Sequence, residues 1–173
     1  METIGRPKDG DYPAYYKAYL LAARGETMED ALQRASDEEA RTREMIPNER
    51  WDYRYAPGKW TTKEVFQHII DTERVFSYRA LCIARGELAN LPGMDEDAYQ
   101  AQARTGVRKA EDMLRELTAV RASTIELFRG LDAEALARGG TANGKHVTVN
   151  ALGWIIAGHA EHHLRIIRER YLA

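Results

Sequence analysis

The stretch Thr148-Val149-Asn150-Ala151-Leu152-Gly153-Trp154-Ile155-Ile156-Ala157-Gly158-His159-Ala160-Glu161-His162-His163-Leu164-Arg165-Ile166-Ile167 decides the fold. Thr148 can cap a first helical turn, and apolar side chains then recur at steps of three and four, the period of an α-helix. At about 100° per residue, Leu152, Ile155, Ile156, Ile166 and Ile167 share one stripe. His163 falls roughly 15° from the centre of that stripe and His159 roughly 55°, whereas His162 is more than about 110° away, on the rim. Residues four apart on a helix have Cβ atoms about 5 to 6 Å apart, so the imidazoles of His159 and His163 can converge on one ion without straining the backbone.

Upstream, the same periodicity predicts three further long helices. Thr61 followed by Glu64 is a capping box, and the helix it opens runs from about Thr62 to Arg85 before Gly86. Val65, Ile69, Thr72, Val75 and Phe76 define its inward face, with His68 at the edge. Thr27 caps a segment rich in Ala, Glu and Arg that reaches about Met45 and ends at Pro47. Lys109 to Arg129 carries Met113, Leu117, Val120, Ile125 and Phe128 at helical spacing. A short opening helix precedes Gly25. A long excursion from Glu87 to about Arg108 has room for one short helix, and Gly139 to Lys145 reads as a tight loop turning at Asn143-Gly144. No convincing series of strands appears. The expectation is an all-α four-helix bundle, residues 1–173 forming a single domain, with any site built from side chains on facing helices.

Composition narrows the function classes. With 25 basic and 27 acidic residues the net charge is -2, so no overall positive field attracts nucleic acid. No apolar run approaches the roughly 20 residues that cross a bilayer, and the N-terminus reads as neither secretory signal nor transit peptide, which predicts a cytoplasmic protein without membrane partners. The single cysteine, Cys82, excludes an internal disulfide and reads as a small hydrophobe among helix residues.

His68, His159 and His163 are therefore the candidate metal ligands. Three neutral imidazoles leave at least one coordination position for water or substrate, the arrangement of a working site rather than a closed structural one. The plainer alternative is a set of hydrogen-bonded core histidines, but burying several imidazoles costs free energy unless each finds a partner, and one shared cation satisfies all of them. Around them, Glu64 and Asp71 flank His68 by one turn and are candidates to accept its second N–H; solvated surface acids is the competing reading. Glu161 points about 150° from the stripe and is a poor general base. Asp95, Glu96 and Asp97 suit a helix N-terminus better than a lid, and Tyr15, Tyr16 and Tyr19 suit a core or dimer interface better than a recognition surface. No catalytic acid or base is identifiable.

The segments Tyr55-Ala56-Pro57-Gly58-Lys59-Trp60-Thr61, His68-Ile69-Ile70-Asp71-Thr72-Glu73-Arg74, Leu91-Pro92-Gly93-Met94-Asp95, Gly140-Thr141-Ala142-Asn143-Gly144 and Gly158-His159-Ala160-Glu161-His162-His163 together resemble the DinB/YfiT-like superfamily. The resemblance extends from about Tyr12 to Tyr171. It implies an up-down-down-up four-helix bundle with a divalent metal on His68, His159 and His163; imidazoles suit several metals alike, nickel and zinc being the leading expectations with iron or manganese as further candidates. It further implies a homodimer, and a metal-dependent hydrolase or an S-transferase using a low-molecular-weight thiol such as bacillithiol or mycothiol. A small-molecule substrate or such a thiol is then the partner. The alternative of a different class is a metal- or ligand-binding stress-response protein without turnover.

Overall fold

The computed structural model describes residues 4–173. Four long helices form the bundle: α2 (Met28–Glu44), α3 (Thr62–Ala84), α5 (Ala110–Arg129) and α7 (Val149–Ile166), the last continued by a π-helical turn over Ile167–Tyr171. Shorter helices α1 (Lys17–Ala22), α4 (Glu96–Ala103) and α6 (Ala133–Ala137) fill the connections. Caps set the starts as the sequence predicts. Thr27 accepts from Asp30 N, Thr61 and Glu64 form the reciprocal capping box, and Thr148 accepts from Ala151 N.

Side-chain pairs fix the helix directions. Gln67 meets Arg108, Arg74 meets Glu116, and Ser77 meets Thr124, so α3 and α5 run parallel. Parallel neighbours need a long crossover, which is the work of the 85–109 excursion and its helix α4. Glu38 meets Arg168 while Met28 lies against Gly153, so α2 and α7 are also parallel. His68 near the start of α3 meets His159 near the end of α7, and Arg129 at the end of α5 meets Glu29 at the start of α2. The result is up-down-down-up.

Two features depart from the sequence reading. The 139–148 loop is a short antiparallel hairpin, β1 (Gly139–Ala142) with β2 (Lys145–Thr148), and Leu91 bridges to Ala142. Its strands are only four residues long, too short for alternation to announce them. Its turn is the expected one, with Asn143 and Gly144 at φ 51° and 68°, the left-handed pair that a two-residue hairpin requires. The second departure concerns α7, which is buried on every side from Val149 to Glu161 rather than along one stripe. Its small residues explain this. A Cβ on Gly158 would come within 1.8 Å of the Tyr19 carbonyl oxygen, so the absent side chain is what lets the α1 backbone lie directly on α7.

Candidate metal centre

His68 is carried by the first turns of α3, and His159 and His163 by the C-terminal half of α7. Because those helices run antiparallel, the three imidazoles meet at the same level of the bundle. The ring centres lie 4.8 Å (His68 to His159), 4.7 Å (His68 to His163) and 4.5 Å (His159 to His163) apart. One ring nitrogen from each lies within 4.8 Å of the other two. Nitrogens bound tetrahedrally to zinc at 2.0–2.1 Å stand about 3.3 Å from one another, so small rotamer adjustments bring this set into register. His68 and His159 face each other with Nε2 atoms 2.9 Å apart, while His163 Nε2 is buried and has no hydrogen-bond partner. One proton between His68 and His159 can satisfy that pair, yet it leaves His163 orphaned, and a buried orphan nitrogen costs about 1–3 kcal/mol. A shared cation satisfies all three, so the donor set fits a divalent metal.

Electrostatics points the same way. Burial lowers the His68 pKa to about 4. Burial, with the neighbouring His68 and His162 adding to it, lowers His163 to about 3. His159 is pushed well below its ordinary value, first by burial and then by His163 and His68. All three are neutral at pH 7, the state in which imidazole binds metal. His162 stays outside the cluster: it is half-buried, and its Nδ1 lies 3.4 Å from an Arg165 nitrogen.

The surroundings of the trio correct several expectations. Glu64 accepts from Thr61 N at 2.6 Å, completing its cap, and Asp71 accepts from Gln67 at 2.9 Å, so neither serves His68. The partner of His68 Nδ1 is Thr72 Oγ1, at 3.4 Å. The signal for it was present, since Thr72 sits one turn after His68 on the inward face. Glu161 is buried, but its carboxylate is held by Arg24 at 2.8 Å. Tyr16 and Tyr19 are walls of the site rather than mere core, and the Tyr19 ring stands edge-on to His159 at 5.2 Å.

A cavity of about 430 Å³ opens onto the three histidines. Trp60, Phe76 and the tyrosines give it an aromatic wall, with Arg79 buried in its lining and Glu96 at its exposed edge. Asp95 caps α4, and that capped turn is what places Glu96 there. Burial, and then Glu96, raises the Tyr19 pKa, so the phenol keeps its proton at neutral pH. On the far side of Trp60 a second cavity, about 350 Å³, also reaches His163 and is bordered by Asp97 and Tyr171.

Fold and site together define a class: a helical bundle with three convergent histidines, two buried and one half-buried, lining a cavity sized for a small molecule. The chain belongs to the DinB superfamily, whose family model matches residues 19–167. Among solved structures it is similar to YfiT from Bacillus subtilis, described as a probable metal-dependent hydrolase with an unusual four-helix bundle topology. That pair has a TM-score of 0.73 and 18% identity over 94% of this chain and 89% of the other. It is also similar to a mycothiol-dependent maleylpyruvate isomerase, with a TM-score of 0.65 and 14% identity; the match covers 95% of this chain but only 62% of the isomerase. At such identities the likeness shows the fold. No curated protein sequence matches the chain. None of the described helices is long and apolar enough to cross a membrane.

Proposed function

We propose that His68, His159 and His163 hold a divalent metal ion and that the chain is a metal-dependent enzyme acting on a small molecule bound in the adjoining cavity. The observation that carries this is the buried His163 nitrogen without a partner, beside two more neutral imidazoles, all three residues lining a cavity of about 430 Å³. When bound there, the ion would supply Lewis acidity toward an electrophile or a nucleophile of lowered pKa. The chain's own groups do the rest. Glu96, the carboxylate at the cavity's exposed edge, is the group proposed to take a proton from an attacking water or thiol. Tyr19, kept protonated, is a donor for negative charge developing near His159. Trp60 and Phe76 give the cavity apolar surface against which a small molecule can pack.

Hydrolysis and transfer of a low-molecular-weight thiol both fit this arrangement, and the described similarity to a hydrolase and to a thiol-dependent isomerase supports considering both. A homodimeric assembly belongs to the same proposal and rests on the family resemblance; nickel or zinc as the ion, from an imidazole set that suits several metals, and a cytoplasmic home are carried with it as sequence-based expectations. The test is elemental analysis of protein purified without a histidine tag, followed by assays on esters, amides and thiol conjugates. About one equivalent of metal, with turnover abolished by His159→Ala, is the expected result. Stoichiometric metal without turnover of any of these would favour the non-catalytic binding reading, and absence of metal uptake would remove both.

A further inference from the structure

Arg79 lies on α3 eleven residues after His68. That is three turns on, within about 20° of the same helix face and about 16 Å further along the axis, with Thr72 and Phe76 between. It is 4% exposed. Its Nη2 donates to the Pro92 carbonyl at 2.7 Å, and its guanidinium carbon stands 5.5 Å from the Phe76 ring centre. Its Nε is buried with no hydrogen-bond partner, and among the described residues no ion pair involves it. A buried guanidinium without a counter-charge is costly, and the fold otherwise avoids it: Arg121, equally buried, is met by two glutamates. The cavity beside Arg79 offers it the Tyr16 phenol, which burial keeps protonated. The cavity's carboxylate, Glu96, is exposed and not paired with it.

We infer that Arg79 anchors the carboxylate of a small molecule whose reacting group lies against the three histidines. An arginine fork binds a carboxylate through two parallel N–H donors, and Nε with one Nη nitrogen is the usual pair. Side chains on a helix lean toward its N-terminus, so Arg79 reaches back along α3 toward His68 and shortens the span a ligand must bridge. Phe76 and Thr72 line the path between the two ends. The position of the reacting group rests on the metal-enzyme reading above; the carboxylate anchor does not.

Hexanoate and hexanamide, equal in shape and different in charge, test the anchor by chemical-shift titration of isotope-labelled protein stripped of metal with a neutral chelator. Hexanoate is expected to bind about tenfold or more tightly than hexanamide, the ratio of a charge-assisted pair to a neutral one, with shifts centred on α3 around Arg79. Arg79→Gln should abolish the preference, and Arg79→Lys should retain part of it. Metal uptake by Arg79→Gln should match the parent. Equal binding of acid and amide, or a preference that survives Arg79→Gln, overturns the inference. The acid-to-amide contrast in the unmodified chain decides the matter even if a variant does not fold. Because the titration needs no ion, a chain that binds hexanoate but no metal defeats only the enzyme proposal. A chain that binds metal but shows no acid preference defeats only the anchor.

Discussion

Two faces of α3 bury polar side chains in opposite ways. Toward α5, Glu73 holds Arg121 through Oε1 at 2.9 Å and Oε2 at 2.7 Å, Glu39 of α2 approaches the same guanidinium at 2.9 Å, and Arg121 also donates to the Leu32 carbonyl at 3.1 Å. Toward the cavity, His68 and Arg79 join His159 and His163, and there the polar atoms outnumber their partners: His163 Nε2 and Arg79 Nε have none. The first cluster is neutralised within the protein, even its one oxygen without a hydrogen bond, Glu39 Oε1, standing in ion-pair distance of Arg121, and it ties α2, α3 and α5 into one register. In the second, neither nitrogen has a counter-charge or a hydrogen-bond partner among the described residues. A buried polar group that the chain itself satisfies speaks of architecture, and one left open at a cavity speaks of a ligand.

The comparison breaks first, and with the largest effect, at Arg121. Arg121→Met leaves Glu39 and Glu73 buried without their cation and should destabilise the fold by about 3–5 kcal/mol in urea unfolding. Replacing the two glutamates by leucine in the same chain should recover most of that loss, because a well-packed apolar trio is close to neutral against a buried ion cluster. If Arg121→Met unfolds no more easily than the parent, the closed cluster has been misread. The cavity side should behave differently. Saturating metal at a hundredfold excess over Kd is expected to add about 2.7 kcal/mol to the parent, an increment that a chelator removes. His68→Ala, His159→Ala and His163→Ala should each lose most of the metal and with it that increment. A parent melting temperature indifferent to metal, while direct assay shows the ion arriving and leaving, would contradict this coupling.

The two faces should also separate along the pH axis. The folded-state pKa values of the histidines are depressed, to about 4 for His68 and about 3 for His163, against about 6.5 in an unfolded chain. Below pH 6.5 the unfolded chain takes up protons that the native site refuses, so stability is greatest above that value and falls as pH drops toward 4. Bound metal steepens this fall, since protons compete for the same nitrogens. Glu39 works in the other direction. Burial, the largest influence, and the nearby Glu73 raise its pKa, against the pull of Arg121, because one guanidinium cannot neutralise two carboxylates. A raised acid contributes stability fully below the ordinary carboxylate pKa and loses it as pH rises through the raised value. Glu39→Gln should therefore remove the loss of stability that sets in as pH rises above the ordinary carboxylate pKa, whereas the histidine variants should remove the loss that sets in as pH falls below about 6.5; between the two values the slopes oppose each other. Identical profiles for Glu39→Gln and the parent would contradict a raised Glu39 pKa.

The same contrast explains what the sequence could disclose. The long helices announce themselves through period and caps, and the His159/His163 pair through spacing on one stripe, because these depend on neighbours three or four residues away. His68 could be set at the edge of an inward face, but its meeting with α7 depends on helices from distant parts of the chain. Arg79 is still less legible. In the sequence it is one arginine among many, and only the fold shows that Glu73 turns toward Arg121 while Arg79 is left facing a cavity. Tyr15 and Tyr16, just before α1, and Tyr19 within it read as core or interface from the sequence for the same reason: nothing local shows that Gly158 lets α1 lie directly on α7.

His162 supplies the smallest expected effect and the most exacting check on the stripe. It neighbours His163 in the chain, its ring centre stands 5.1 Å from that of His163, and a ligand set chosen by proximity alone would include it. The helix forbids that choice, since adjacent residues diverge by about 100° around the axis. His162 is accordingly half-buried, with its ring against Tyr19 at 5.4 Å and its Nδ1 by Arg165, outside the convergent set. His162→Ala should change stability by no more than about 0.5 kcal/mol, as a partly solvated position without a specific partner does. Its metal affinity should stay within about twofold of the parent, well inside the tenfold that 1.4 kcal/mol represents. The measurement is a competition titration against a chromogenic chelator, run beside His163→Ala. Loss of the ion in His162→Ala and its retention in His163→Ala would mean that α7 presents the other face to the cavity, and the open cluster would then have to be rebuilt around a different pair.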